Sequence, residues 1–148
     1  MTVPCTVEKS VVAIVREFTL LAFRHPQAGV QLPKGTRELG ESPEETARRE
    51  VFEEVGVVLS EPLLALGQWI CPDPTSIWNV FVADAPPGLP PTWRHAPSGS
   101  DEERRHVFDV IWVRMGDALD VFHPLFHPVL NVVCAHLDQV GNTRASQS

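Results

Sequence analysis

Three glutamates in the first half of the chain are spaced so that a helix would bring them together. Glu50, Glu53 and Glu54 stand at positions i, i+3 and i+4, and side chains at this spacing lie on one helical face. Like charges so placed cost roughly 0.2 to 0.5 kcal/mol per pair, so the arrangement is mildly unfavourable on a surface that binds no ligand. The triplet therefore indicates either a solvated acidic helix face or a site for a hard dication. Binding of such an ion would make the arrangement of the three charges favourable.

Carboxylates in this arrangement suit metal-assisted attack of water on phosphate. Magnesium prefers oxygen ligands in octahedral geometry and is commonly held by one or two carboxylates together with water and substrate phosphates. Such an ion bridges phosphate oxygens, offsets the charge that builds in the transition state and lowers the pKa of a bound water. A carboxylate not fully used as a ligand could then take the proton of the attacking water as general base.

The segment around the glutamates carries the start and stop signals of a helix. Ser42 is a favourable N-cap, Pro43 suits the first helical position, and Glu45 stands three residues after the cap, as in a capping box. Gly56 supplies the C-terminal stop. The apolar face that should pack inward is formed by Ala47, Val51 and Val55.

Runs rich in Val, Ile, Phe and Trp predict strands on both sides of this helix. The predicted strands are 9–16 and 18–24, paired as a hairpin, a short extended piece at 31–33, and 63–70, 76–85 and 107–113. Residues 86–97 hold five prolines and a glycine and predict a long irregular loop. A short helix is expected at 115–119, a longer one at 124–137 with Pro128 bending or delaying its start, and a frayed tail at 141–148.

The glutamates belong to a longer pattern with fixed spacing. In order, it consists of Gly35, five free positions, Glu41, seven free positions, Arg49-Glu50-Val51, one free position, Glu53-Glu54, one free position and Gly56-Val57. Seven of these positions specify one residue type each, so chance agreement in a chain this long is on the order of one in ten million. The pattern matches the complete Nudix box, and the chain resembles the Nudix hydrolase superfamily, whose members include MutT-like enzymes.

The resemblance extends beyond the box, which covers 23 of the 148 residues, 35–57. Strands precede it, a Gln-Leu-Pro-Lys-Gly segment enters it, and further strands and a C-terminal helix follow. The resemblance implies an α/β fold, with an α/β/α sandwich around a mixed sheet. We expect one such domain over residues 1–140, followed by a flexible tail at 141–148.

The resemblance also implies an activity and a set of site residues. The expected reaction is magnesium-dependent cleavage of a phosphoanhydride bond in a nucleoside diphosphate linked to another moiety, with manganese as a substitute ion. The implied metal ligands and catalytic residues are Glu50, Glu53 and Glu54, with the Gly35 carbonyl as a further ligand. Arg49 would orient the glutamates by ion pairing, with Glu41 as a supporting residue near it. Members of the family differ in their general base, for which Glu53 or Glu54 is favoured here.

Many relatives add an acidic residue from a loop before the last strand. The sequence Asp101-Glu102-Glu103 occupies such a place, and Glu103 is taken as a candidate metal ligand. The alternative is a solvated acidic loop without a role in the site.

Candidates for substrate binding are the cations and aromatic residues near these segments. Lys34, Arg37, Arg104 and Arg105 could each meet a phosphate, although a structural or exposed role is the alternative for each. Among the four tryptophans, Trp93 in the proline-rich loop is the best candidate to stack on a base, whereas Trp112 is expected in the core.

The substrate itself is left open by the sequence. ADP-ribose, dinucleoside polyphosphates and nucleoside triphosphates all fit the class, and the subfamily markers conflict. The chain has no tyrosine, so a marker of some dinucleoside polyphosphate hydrolases cannot be applied.

Net charge and hydropathy limit the kinds of partner that the protein is expected to bind. A net charge of −7 argues against an extended nucleic acid, including the 5′ end of RNA, because such partners need a basic face. Apolar runs are too short to span a membrane and no signal-peptide pattern is present at the start, so a cytoplasmic protein with a small nucleotide-type substrate is predicted. A homodimer is left open, and a non-catalytic Nudix-fold module that senses nucleotides or binds a partner is the alternative function.

Overall fold

The computed structural model describes residues 7–72, 74–98 and 106–146, the last six of them by their backbone alone. The strands are β1 Val7–Arg16, β2 Thr19–His25, β3 Gly29–Gln31, β4 Lys34–Thr36, β5 Leu64–Pro72, β6 Thr75–Asp84, β7 Trp93–His95 and β8 Phe108–Arg114. The helices are α1 Pro43–Val55, α2 Ala118–Val121 and α3 His127–Ser146, with short 3₁₀ turns at Met115–Asp117 and Pro124–Phe126.

The strands form one mixed sheet in the order β5-β6-β1-β2-β8-β7, with β3 added to β2 and β4 added to β1. The pair β1 and β6 is parallel, from Val7 opposite Ser76 to Val15 opposite Asp84, and the other pairs are antiparallel. Strand β1 therefore lies in the middle of the sheet. Its central residues are apolar because both of its faces are covered.

Two hydrophobic cores lie on the two faces of the sheet. Alternate residues of β1 point to opposite faces, so Val11 packs in the core that contains Leu130 of α3, whereas Val12 packs in the core that contains Val51 of α1. The predicted α/β architecture, with helices on both faces of a mixed sheet, is confirmed.

Helix α1 begins and ends where the local signals predict. The Ser42 hydroxyl accepts a hydrogen bond from the Glu45 amide at 3.1 Å, and Gly56 ends the helix at φ +76°, in the left-handed region that favours glycine. The buried Ser10 hydroxyl donates to the Pro43 carbonyl at 2.7 Å and so ties the first turn to β1. The predicted inward-facing residues Ala47, Val51 and Val55 are fully buried.

Several element boundaries differ from the prediction. The extended piece expected at 31–33 consists of the last residue of β3 and the two residues that connect it to β4, and these two strands pair with different neighbours. The loop expected over 86–97 contains the strand β7, which is free of proline and pairs with β8. Pro128 is accommodated in the first turn of α3, where a missing amide hydrogen costs nothing.

The C-terminal helix is longer than predicted, since it continues through residue 141 to Ser146. The segment expected as a flexible tail is therefore helical at 141–146, and its flexibility stays a prediction. Within the part of the chain that the structure describes, no helix combines the length and apolar character needed to cross a membrane.

Candidate active site

A cleft of about 700 Å³ lies between α1 and the end of the sheet at which the chain leaves β4 towards α1. All three predicted glutamates line it, together with Gly35 and Arg49. The structure therefore brings the central residues of the motif into one depression.

Gly35 is required by the position of a carboxylate. A Cβ atom built at Gly35 would lie 1.9 Å from the Glu50 Cδ atom and 2.1 and 2.3 Å from its two oxygens. Glu50 is 7% exposed, so its carboxylate is pressed against the backbone of β4. The first glycine of the motif thus makes room for the first glutamate of the helix.

Arg49 joins several carboxylates through one guanidinium group. Its Nε and Nη2 atoms donate to the two oxygens of Glu41 at 2.7 and 3.0 Å. Its Nη1 atom donates to Glu50 at 2.8 Å and to Glu53 at 3.2 Å, and Nη2 also donates to the Thr36 carbonyl at 2.9 Å. This planar, multidentate arrangement fixes the carboxylates relative to one another.

Glu41 is the strongest partner of that guanidinium. The hydrogen bonds from Arg49, with further ones from the Glu38 amide and the Thr46 hydroxyl, lower the pKa of Glu41 from 4.5 to about 2. The same pair raises the pKa of Arg49 above its usual value. Glu41 is therefore ionised at neutral pH and anchors Arg49, as the resemblance implied.

The three helix glutamates share a face but differ in their surroundings. Glu54 is 5% exposed and accepts a hydrogen bond from the Lys34 amide at 2.7 Å. Glu53 retains 20% exposure of its side chain, against 9% for Glu50. Glu53 is thus the more accessible of the two carboxylates that Arg49 holds on this face.

The residues present fit a hard metal ion by their chemistry. The expected donors are carboxylate oxygens and a backbone carbonyl, and the Glu50 carboxylate lies close against the Cα atom of Gly35. Over residues 7–72, 74–98 and 106–146, no three acidic, histidine or cysteine side chains are close enough to share one ion. The arrangement suits magnesium held by one or two carboxylates, with phosphates and water completing the shell.

Lys34 lines the cleft, but its ammonium group is packed against aromatic rings. The Nζ atom lies 4.6 Å from the Trp78 ring centroid and 5.7 Å from that of Phe126, within the range of cation–π attraction. Burial lowers the pKa of Lys34, and nearby Lys9 lowers it further. Both lysines belong to the lining of the cleft, and the Lys34 ammonium group is directed onto the two rings.

Two other predicted substrate contacts lie outside the cleft lining. Arg37 pairs with Glu8 at 2.7 Å and donates to the Glu41 carbonyl at 2.5 Å, which directs it away from the cleft. Trp93 donates its indole N–H to the Val55 carbonyl at 2.9 Å and packs against the core beneath α1.

Trp112, expected in the core, is only partly buried. Its indole N–H donates to the Pro90 carbonyl at 3.2 Å, and the Arg16 guanidinium lies 3.9 Å from the ring centroid. Glu103 and Arg104, like Arg105, lie outside the described residues, so their roles stay predictions.

The cleft also contains residues that sequence reasoning did not single out. Phe23, His25 and Phe108 form part of its wall, with the Phe23 and Phe108 rings stacked at 4.6 Å between centroids. These residues belong to β2 and β8, which meet only in the folded sheet, and no local pattern marks them. The hydrogen bond of the Gln27 and Ala28 amides to His25 Nδ1, at 3.0 Å each, fixes that ring at the cleft.

Comparisons with known proteins agree with this geometry. The model of the NUDIX domain family matches residues 6–131. A MutT structure, from work on Aliivibrio salmonicida and Vibrio cholerae, is 22% identical, with a TM-score of 0.64, and the match covers 87% of this chain and 96% of that one. A NUDIX hydrolase from Nitrosomonas europaea is 18% identical, with a TM-score of 0.65 and coverage of 88% and 90%.

A third similar structure is an ADP compounds hydrolase, at 22% identity and a TM-score of 0.69, with coverage of 93% of this chain and 76% of that one. No curated protein sequence gives a significant match. The family match spans most of the chain, so the chain belongs to the Nudix family. The predictions of this family, of its fold and of a Nudix pyrophosphohydrolase are thereby confirmed.

Proposed function

We propose that the chain is a magnesium-dependent hydrolase that cleaves a phosphoanhydride bond in a nucleoside diphosphate linked to another moiety. The observation that carries the proposal is the gathering of Glu50 and Glu53 on one nitrogen of Arg49, beside Gly35 and within a cleft. A solvated acidic face would not require such a partner. Membership of the Nudix family supports the same reaction.

Each residue of the set has a role in the proposal. The proposed ligands of magnesium, with manganese as a substitute, are the Gly35 carbonyl and the carboxylates of Glu50, Glu53 and Glu54, of which one or two would bind any one ion. The ion, when bound, neutralises phosphate charge and lowers the pKa of water. Arg49 orients the carboxylates, and Glu53 is favoured as general base because its side chain is more exposed than that of Glu50.

The size and charge of the cleft support a small nucleotide-type substrate. Its volume of about 700 Å³ suits a small ligand, and Lys9 in its lining supplies positive charge for phosphates in this proposal. Similar structures include a MutT and an ADP compounds hydrolase, so nucleoside triphosphates, ADP-ribose and dinucleoside polyphosphates are the compounds to test. Trp93 is not part of this proposed subsite, since it does not line the cleft and packs beneath α1.

A substrate panel with mutants of the helix tests the proposal. With magnesium, at least one of these compounds should be hydrolysed by the wild-type chain. Glu53→Gln and Glu54→Gln should each lower kcat by about a hundredfold or more with the melting temperature kept, because each loses a ligand or base charge. Glu45→Gln, an exposed residue of the first turn of α1, is the matched control and should leave kcat unchanged.

Two results would contradict the proposal. Full activity in both Gln variants would show that the carboxylates do not act in the reaction. Tight nucleotide binding by calorimetry, with no turnover under any divalent ion, would instead indicate the non-catalytic nucleotide-sensing module.

A further inference from the structure

The last turn of α1 is bonded to a segment about forty residues later in the chain. The final carbonyls of an α-helix have no partner within the helix. Here the Trp93 indole N–H donates to the Val55 carbonyl at 2.9 Å, and the His95 Nε2 atom lies 3.0 Å from the Glu53 carbonyl. The Ser98 amide donates to the same Glu53 carbonyl at 3.3 Å. We call residues 93–98 the strap.

The contact between His95 and the helix end has a defined chemistry. A carbonyl oxygen can only accept, so the Nε2 atom of His95 carries the proton that it donates to Glu53. The imidazole ring lies over Gly56, where an added Cβ would come within 2.9 Å of Nδ1. The last glycine of the motif therefore both ends the helix and admits this ring.

The strap is itself fixed to the sheet. Its first three residues form β7, with Trp93 opposite Val110 and His95 opposite Phe108 of β8. Val110 and Phe108 are at most 1% exposed, so the strap rests on a rigid part of the molecule. The hydrogen bonds consequently hold the end of α1 at a set position relative to the sheet.

The residue that the strap holds is the one that carries the proposed chemistry. Glu53 is bonded twice through its backbone carbonyl, to His95 and Ser98, and once through its carboxylate, to Arg49. Glu53 and Glu54 both stand in the last turn of α1, which is the part of a helix that frays when its carbonyls lack partners. Loss of the strap would let these two carboxylates occupy a wider range of positions.

We propose that Trp93 and His95 are positioning residues that fix Glu53 and Glu54 for metal binding. This inference rests on the proposed function, because it assigns the two carboxylates to a divalent ion. Neither residue needs to touch the substrate. Their effect is on how well the ligands are placed before the ion arrives.

Substitutions that remove the N–H donors and keep a large apolar side chain test the inference. Trp93→Phe and His95→Leu should each weaken Mn²⁺ binding, measured by calorimetry without nucleotide, by about tenfold, the lower end of the usual effect of outer partners of metal ligands. At saturating metal, kcat should fall while the KM for nucleotide stays unchanged. His95→Gln should restore much of the affinity, because its amide nitrogen can donate from a place similar to that of Nε2.

Arg94 provides a matched control within the same strand. Its side chain is 81% exposed and pairs with Asp109 on β8, so Arg94→Ala alters β7 without touching α1. This variant should bind Mn²⁺ as the wild type does. Melting temperatures measured for every variant separate a loss of stability from a loss of positioning.

The outcomes distinguish this inference from the proposed function. A lowered melting temperature with wild-type Mn²⁺ affinity in Trp93→Phe and His95→Leu would make the strap merely structural and overturn the inference. A wild-type chain that binds Mn²⁺ but hydrolyses nothing would refute the proposed function, while the binding comparison would still decide the role of the strap. A wild-type chain that binds no divalent ion would overturn both.

Discussion

Two acidic depressions lie at opposite ends of β1, and they use their carboxylates differently. The candidate active-site cleft is at the end that contains Lys9. The other, which we call the distal groove, has a volume of about 600 Å³ and lies between the second half of α3 and the turn after β1. Its lining contains three carboxylates, those of Glu17, Asp84 and Asp138. By size and by number of acidic groups the two depressions are similar.

The difference lies in what holds the carboxylates. In the cleft, one guanidinium bonds Glu41, Glu50 and Glu53, and a backbone amide bonds Glu54. In the distal groove the three acids come from the turn after β1, from β6 and from α3, and none of them forms an ion pair with another described residue. Negative charge is thus common to both places, whereas a shared cation that fixes carboxylate positions is found in the cleft.

The strongest test of whether carboxylate position matters in the cleft is to displace one carboxylate without changing its charge. Gly35→Ala would place a methyl group where the Glu50 carboxylate now lies, and that flexible side chain would swing aside. We expect kcat to fall by about a hundredfold, since a shift of about 1 Å has that effect, with little change in the melting temperature. Gly116→Ala, at a glycine with open space around it, is the matched control. Unchanged kcat in Gly35→Ala would show that the position of Glu50 does not matter.

A smaller effect is expected from loss of the anchor of Arg49, and it should depend on pH. The pKa of Glu41 is lowered from 4.5 to about 2 by its hydrogen bonds with Arg49, so the ionised form stabilises the folded state above pH 4.5. That contribution is lost as the pH falls from 4.5 towards 2. Urea unfolding of wild type and Glu41→Gln should therefore differ most near neutral pH and converge in acid, while Glu45→Gln should track the wild type. A difference independent of pH would contradict the role of this ion pair.

The smallest effect is expected in the distal groove. Asp84→Asn and Asp138→Asn remove charge from carboxylates that no cation gathers, so kcat, KM and Mn²⁺ affinity should match those of the wild type. Steady-state assays and calorimetry on both variants make the measurement. A clear loss of activity would mean that overall acidity, rather than carboxylate placement, governs the reaction.

The parts of the site that sequence predicts are those whose contacts are local. The cap at Ser42, the stop at Gly56 and the shared face of the glutamates all depend on residues within one or two helical turns. The pairing of Arg49 with Glu41, eight positions apart, is also short in sequence, and the motif carries it. These features were predicted from the spacing and from the resemblance.

The remaining features depend on residues that meet only across the fold. In the strap, Trp93 donates to the carbonyl of Val55, 38 positions earlier. Every residue has a backbone carbonyl, so the sequence does not indicate which one is bonded. Strand β7 was not predicted, because it has three residues, too few for a recognisable pattern, and the segment around it is rich in proline. Lys34 was expected at a phosphate, yet its ammonium group packs on Trp78, a residue 44 positions further on, in another strand.

The parallel pairing of β1 with β6 has a consequence for how the molecule is made. All motif residues, 35–57, leave the ribosome before β6, β7 and β8. The pairing of β1 with β6 joins residues that are far apart in the chain, so the middle of the sheet forms only after β6 has been made. A nascent chain that ends at residue 92 would carry the three glutamates of α1 without the donors that fix the end of this helix. We expect the newly made protein to acquire its affinity for divalent ions only late in synthesis.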